Sequence, residues 1–290
     1  MKAYQVESIP KYKEFKYWFS QRNPFTWDVW DLSLSTPAQL KDVVVREDIR
    51  VHAGVPVNFP VSDKQQIESD FEVFKGRPEH AVGHEIAFDN MCAETYEELI
   101  IGCILSRYFT ERTSDPDVFI PSAMKALEWL RGTDFYTAPA STVYHESYSG
   151  GLLTHTFKAY NRGLGLLNID QFNRVSVVSY ATCILCHDWC KIGLYEPYQK
   201  NVKNEATNTW SKELAFKRNQ TGIPLGHGVA SMFLASKFFK LTPAEALAIR
   251  WHQGVWNCCE AEFNELQKAN EEHPLVHLIQ FADQLAIVKY

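Results

Sequence analysis

Six side chains in the second half of this chain are of the types that bind metal ions: His155, the adjacent pair His187 and Asp188, then His227, His252 and Asp283. Imidazole nitrogens mixed with carboxylate oxygens suit one or two divalent transition-metal ions, Mn, Fe, Co, Ni or Zn rather than Mg, that bind and activate water. Taken singly, a histidine on an apolar helix is more often a core or surface residue than a ligand. Four histidines and two aspartates in or beside successive apolar segments are harder to explain in that way.

The segments that must position these residues read as helices. GGLLTHTFKAYNRGLGLL surrounds His155, SYATCILCHDWCKIG carries His187 and Asp188, and LGHGVASMFLASKFF carries His227. TPAEALAIRWHQG ends near His252, and HPLVHLIQFADQLAIV carries Asp283. Each has apolar residues at helical spacing, so ligands from successive helices would line the inside of a bundle. Neighbours on a helix point about 100° apart. His187 and Asp188 therefore reach one ion from adjoining directions, or Asp188 bridges two. Lys191, one turn beyond His187 and on its face, is expected to offset charge developing on a phosphoryl oxygen.

The order H, HD, H, H, D, with HDxxK written as His187-Asp188-Trp189-Cys190-Lys191, resembles the HD-domain superfamily of metal-dependent phosphohydrolases. YHESYSGGLLTHTF is similar to the entry to the first ligand helix in HD hydrolases related to HD-type 3′-to-5′ exoribonucleases and to the HD domains of mobile-element relaxases. LGHGVAS, LTPAEALAIRWHQG and HPLVHLIQFADQLA resemble later segments of bacterial and phage HD-family hydrolases, so the likeness covers roughly residues 120 to 290. It implies a mainly α protein built on an HD-domain helical bundle. In such a bundle His155, His187, Asp188 and Asp283 would hold a first ion, and His227 and His252 a second ion bridged by Asp188. Asp188 and Lys191 would be the catalytic residues. Tyr144 and His145, at a point where related hydrolases often carry Tyr-His, would contact substrate.

The activity implied is hydrolysis of a phosphate ester of a nucleotide or short oligonucleotide by metal-activated water. Two other classes share the ligand order. One is the HD-like mixed-valence diiron oxygenase, which uses the same four His and two Asp and also carries HDxxK; the other is a non-catalytic HD binding module with a relic site. After His252 the chain reads QGVWN and has no GYP motif, which disfavours cyclic-di-GMP hydrolysis.

Composition sets further limits. The chain of 290 residues, 46% hydrophobic and 22% charged, is long enough to bury a sizeable core. It shows no run of apolar residues long enough to span a membrane and no signal-peptide pattern at its start, so a cytoplasmic location without membrane partners is expected. Seven cysteines in no scaffold-like spacing fit reduced thiols. Cys183, Cys186 and Cys190 flank the HD pair, but no second cysteine pair completes a structural zinc site, and small buried hydrophobes are the expected role.

A net charge of −6 argues against binding long duplex nucleic acid and favours a phosphorylated small molecule, nucleotide or short oligonucleotide as partner. Between the HD pair and His227 the balance reverses: Lys200, Lys203, Lys212, Lys217 and Arg218 face Glu196, Glu205 and Glu213, interleaved with Tyr195, Tyr198, Trp210 and Phe216. NVKNEATNTW within this stretch reads as a β-hairpin or irregular loop. Lys203, Lys217 and Arg218 are candidate substrate contacts here, since aromatics among basic residues stack bases and hold phosphates. A solvated insertion with a few packing aromatics explains the stretch equally well.

Residues 1–95 read as an accessory region, mixed α/β or irregular, with a β-like run at Val43-Val44-Val45, and residues 96–290 as the helical metal-binding domain. TYEELIIGCILSRYF and FIPSAMKALEWLRG supply helices at the head of the second part. His80 and His84 form an i, i+4 pair, but Pro78 and Gly83 weaken a helix there, and a surface or structural role is expected.

Overall fold

The computed structural model describes residues 17–23, 26–31, 41–46, 49–53, 65–66, 68–69, 82–83, 85–111, 125–219 and 224–288. His80 and His84 lie outside them. The valine run falls on β3 (Lys41–Arg46) of a four-stranded sheet completed by β1 (Tyr17–Asn23), β2 (Thr26–Asp31) and β4 (Ile49–Ala53). Two antiparallel pairs, β1 with β2 and β3 with β4, are joined by parallel pairing of β2 with β4. The region expected to be mixed or irregular thus contains an ordered sheet.

The rest is mostly helical. Helix α1 (Ala93–Glu111) opens two residues before the threonine expected to start it and is followed by α2 over 125–131. Then come α3 (Gly151–Leu166) and α4 (Val177–Cys186). A hairpin of β5 (Tyr195–Asn204) and β6 (Thr209–Arg218) precedes α5 (His227–Ser236), α6 (Pro243–Arg250), α7 (Phe263–Glu272) and α8 (Pro274–Ala286). Among the described residues no helix is long and apolar enough to cross a membrane.

Helix α4 is the centre of the packing. Its sequence VVSYATCILC is apolar on every side, which suits a helix enclosed by others, and it touches α1, α3, α6 and α8. Cys183 and Cys186 are fully buried free thiols on it, and Cys103 of α1, equally buried, is pushed up to about 12 by desolvation. They pack as small apolar groups.

The helix expected to run through His187 and Asp188 to Lys191 stops at Cys186. His187 caps it, Asp188 leaves helical geometry at φ −109° and ψ 16°, and a 3₁₀ turn follows over Trp189–Lys191. The physical reason lies in the carbonyls that a helix end leaves free. The His187 Nδ1–H donates to the Ile184 carbonyl at 2.6 Å, and the Tyr96 hydroxyl of α1 donates to the Leu185 carbonyl at 2.7 Å. The Trp189 indole N–H then donates to the Tyr96 oxygen at 2.9 Å. Tyr96 and Trp189 are both fully buried, so this end is pinned from outside the helix.

Helix α6 starts with a reciprocal cap: Thr242 accepts from the Glu245 N–H while Glu245 accepts from the Thr242 N–H. The same Glu245 is buried and paired with Arg107 of α1 at 2.6 Å, and Arg107 also donates to the Lys240 carbonyl. Removing one partner of a buried pair leaves a stranded charge. Arg107→Met is therefore expected to reduce the unfolding free energy by about 3 kcal/mol, read by urea titration with far-UV circular dichroism. A loss below about 1 kcal/mol would mean that the pair behaves as an exposed one.

The β5–β6 hairpin matches the reading of NVKNEATNTW. It turns over residues 205–208, with Asn208 at φ 55°, and pairs from Tyr195 opposite Arg218 to Asn204 opposite Thr209. Apart from Phe216, which is buried at its base, it stands largely in solvent.

Candidate metal centre

All six expected ligands come together in the bundle. His155 projects from the second turn of α3, and Asp283 from the last turns of α8, the helix packed along it. Their side chains meet, with Nε2 of His155 2.9 Å from Oδ1 of Asp283. His187 and Asp188 sit just past the end of α4, and His252 just past the end of α6. His227 is the first residue of α5. The α5 start and the α6 end approach closely because position 228 is glycine: a Cβ there would strike the Arg250 carbonyl. The imidazole rings of His227 and His252 consequently lie 5.2 Å apart.

His187 and His252 are oriented by the same device. Each donates Nδ1–H to the carbonyl three residues back, Ile184 at 2.6 Å and Ile249 at 2.7 Å, in the last turn of its own helix. This fixes the ring orientation and turns Nε2 toward the cluster, which is the arrangement a ligating histidine needs. Both rings are fully buried, and Nε2 of His252 has no hydrogen-bond partner at all. A buried, pre-oriented, unpartnered nitrogen is expensive unless something binds it.

Asp188 divides the cluster into two halves. Its Oδ2 lies 3.5 Å from Nε2 of His155 and 3.4 Å from Nε2 of His187. Its Oδ1 lies 2.7 Å from Nε2 of His227 and 3.6 Å from Nε2 of His252. The donor atoms of His155, His187 and Asp188 fall within 4.8 Å of one another, as do those of Asp188, His227 and His252. Asp283 joins the first half, with Oδ1 3.6 Å from Nε2 of His187. The cluster could hold metal ions, and the residues present fit them: four imidazoles, two of them oriented through Nδ1, two carboxylates and an orphaned buried donor atom.

The charges are arranged to keep both carboxylates ionised. Burial would raise Asp188, but Lys191, His187 and His227 outweigh it and hold the group well below the usual carboxylate range. Asp283 is held low in the same way by His155 and His187 against burial. Burial presses His187 down, yet Asp188 and Asp283 lift it to about 10, whereas burial prevails at His227 and lowers it.

Lys191 departs from its expected placement. It stands on the 3₁₀ turn and not on a shared helix face with His187, and its Nζ is tied to Oδ2 of Asp188 at 2.7 Å. Its ammonium neutralises the Asp188 carboxylate directly. The hairpin candidates separate by position. Arg218 and its partner Tyr195 lie at the base, where the charges of Lys191, Asp188 and Arg218 all act on the Tyr195 hydroxyl. Lys217 is one residue further out, exposed and paired with Glu196 at 2.9 Å. Lys203 lies opposite Trp210 near the turn, about 25 Å up the strand from Tyr195, and its nearest partner is exposed Glu205. Lys203 therefore stands near the exposed tip of the hairpin, whereas Arg218 stands at its base.

His145 comes to the centre, its ring 4.9 Å from that of His155, while Tyr144 points into solvent at 86% exposure. Both line a cleft of about 680 Å³ with Tyr148, Lys158, Arg162 and residues 286–288. One residue of the centre was not anticipated. Glu146 is mostly buried, has φ 40°, pairs with Lys158 at 2.5 Å and brings Oε2 to 4.0 Å from Nδ1 of His155. The only hint in the sequence is its place beside His145 in a turn. Comparison with protein-family models, with curated proteins and with solved structures finds no match for this chain.

Proposed function

We propose that this protein is a metal-dependent phosphohydrolase with an HD-type helical bundle, cleaving a phosphate ester of a nucleotide or short oligonucleotide. The observation that carries the proposal is Asp188, whose two oxygens face separate histidine pairs in one buried cluster. His155, His187, Asp283 and Oδ2 of Asp188 would hold one divalent transition-metal ion, and His227, His252 and Oδ1 of Asp188 a second. When bound, such ions activate water at neutral pH and offset the charge of a phosphoryl group in an in-line displacement.

The chain's own residues supply the rest. The Ile184 and Ile249 carbonyls hold the Nδ1 protons of His187 and His252, so both rings turn Nε2 toward the site, where an ion would take the place of the Nε2 proton of His187. Lys191 keeps its proton at Nζ beside Asp188 and contributes a fixed positive charge where negative charge accumulates. The cleft beside His145 has the size of a small-molecule site, and its tyrosines and basic groups suit the nucleoside part of the substrate. Arg218 and Tyr195 border the centre from the hairpin base.

The test is elemental analysis of purified protein, followed by hydrolysis assays with Mn on a phosphomonoester, a phosphodiester and a nucleotide panel. Close to two equivalents of metal together with ester cleavage supports the proposal. Two equivalents of iron with oxygen uptake and no ester cleavage assigns the centre to an oxygenase. Protein that neither holds nor takes up metal is a binding module. Lys191→Met is expected to retain its metal and to lower kcat about a hundredfold, in the range seen when one charge-stabilising group is lost. Unchanged turnover would remove Lys191 from the mechanism.

A further inference from the structure

His155 lacks the device that orients the other buried histidines. Its position inside α3 leaves no free helix-end carbonyl behind it, and its Nδ1 is buried without a hydrogen-bond partner. Two buried polar atoms on neighbouring residues share that condition, Oε2 of Glu146 and Nε2 of His145. Oε2 of Glu146 lies 4.0 Å from Nδ1 of His155, the His145 ring stands 4.9 Å from that of His155, and donor atoms of the three residues lie within 4.8 Å of one another. Three orphaned polar atoms on residues gathered at one point are a directed arrangement, since unpaired buried groups are rare and costly.

Around that point the geometry is over-determined. Glu146 is held in the left-handed backbone region, unusual for a side chain of its kind. Gly151 lets the first turn of α3 press against it, because a Cβ there would run into the Glu146 carbonyl. Its other carboxylate oxygen is fixed by Lys158 at 2.5 Å, which leaves Oε2 aimed at His155. The 4.0 Å from Oε2 to Nδ1 is too long for a direct hydrogen bond. A water oxygen about 2.8 Å from each of the two atoms spans that gap. A metal ion would need its donors closer and would compete for a ring already engaged through Nε2.

We propose that Glu146 and His145 hold one buried water that accepts the Nδ1–H of His155, making Glu146 the positioning residue that fixes the His155 tautomer for metal binding. The hydrogen bonds balance. The water accepts one proton from His155 and donates one each to Oε2 of Glu146 and Nε2 of neutral His145, so each of the three atoms gains a partner. The inference rests on the metal-centre reading above and extends it beyond the six ligands.

The test uses the full chain loaded with Co²⁺, with metal affinity measured by chelator competition and exchangeable imidazole N–H signals read by paramagnetic proton NMR. In wild type, His155 is expected to give a slowly exchanging N–H signal alongside those of His187 and His252. Glu146→Ala is expected to lose that one signal and to weaken Co²⁺ binding about ten- to a hundredfold, as for outer partners of ligating histidines. Glu146→Gln, which keeps a carbonyl acceptor, is expected to recover the signal and most of the affinity. If Glu146→Ala keeps all three signals and wild-type affinity, or if Gln fails as Ala does with every signal intact, the inference is overturned while the metal centre stands. Wild type that takes up no Co²⁺ overturns both.

Discussion

Asp188→Ala is expected to lose both metal ions together and at least about a thousandfold in kcat, on the order of 4 kcal/mol of transition-state stabilisation. Few substitutions should act on two half-sites at once. His227→Ala removes a donor from one side of Asp188 only and is expected to keep about one equivalent of metal, whereas Asp188 offers an oxygen to each side. Its removal also strands Lys191, which is buried and bonded to the same carboxylate. Part of the effect will therefore appear as lost stability, about 3 kcal/mol for an uncompensated buried charge. Asp188→Asn separates the two contributions, since it keeps the volume and part of the hydrogen bonding. Elemental analysis, phosphate-ester turnover and far-UV circular dichroism on the same samples give the outcome. Metal-stripped Asp188→Ala with full activity would remove the centre from the chemistry.

The parts of this centre legible in the sequence are those that follow from periodicity. The helices around His155, His227 and Asp283 fall where apolar spacing puts them, and the Thr-Pro-Ala-Glu start of α6 forms a cap. The ligand types and their order along the chain identified all six residues that converge. The break after Cys186 was not legible, because its cause is tertiary. SYATCILCHDWCKIG contains no proline and no glycine before Gly193. What ends the helix is a tyrosine on α1 and the His187 ring bonding to the freed carbonyls. Periodicity also put Lys191 on the face of His187, and the break moved it onto Asp188.

Glu146 and Lys203 show the other limit. Nothing in HESYSGG announces that the residue after His145 adopts a positive φ and turns a carboxylate toward α3; that depends on Gly151 and Lys158 packing around it. Likewise NVKNEATNTW announces a hairpin but not its direction. Lysines near its turn and basic residues at its base look equivalent in composition, and only the fold separates Lys203 from Arg218. The segments of β1 and β2, rich in aromatic residues, show no clean alternation of apolar and polar residues, so only Val43-Val44-Val45 reads as strand from its sequence.

Chelator-treated protein is expected to be inactive and less stable than the metal-loaded form, with Mn, Co or Zn restoring stability where Mg does not. The sign follows from linkage: a ligand that binds only the folded state stabilises it by about 2.7 kcal/mol at a hundred times its Kd and about 4.1 kcal/mol at a thousand times. For a helical region of this size each kcal/mol moves Tm by about 2–4 °C, so a rise on the order of 10 °C is expected on loading, read by differential scanning fluorimetry. The effect should spread beyond the ligands. His187 and His252 are bonded to the last carbonyls of α4 and α6, and His155 and Asp283 belong to α3 and α8. With His227 at the start of α5, ions in the cluster would thus fasten five helices at one place and give His252 the partner that its buried Nε2 lacks. Hydrogen exchange should slow at the ends of α4 and α6 on loading while the exposed β5–β6 hairpin stays unchanged, and uniform exchange with no rise in Tm for any ion would count against a metal centre in this bundle.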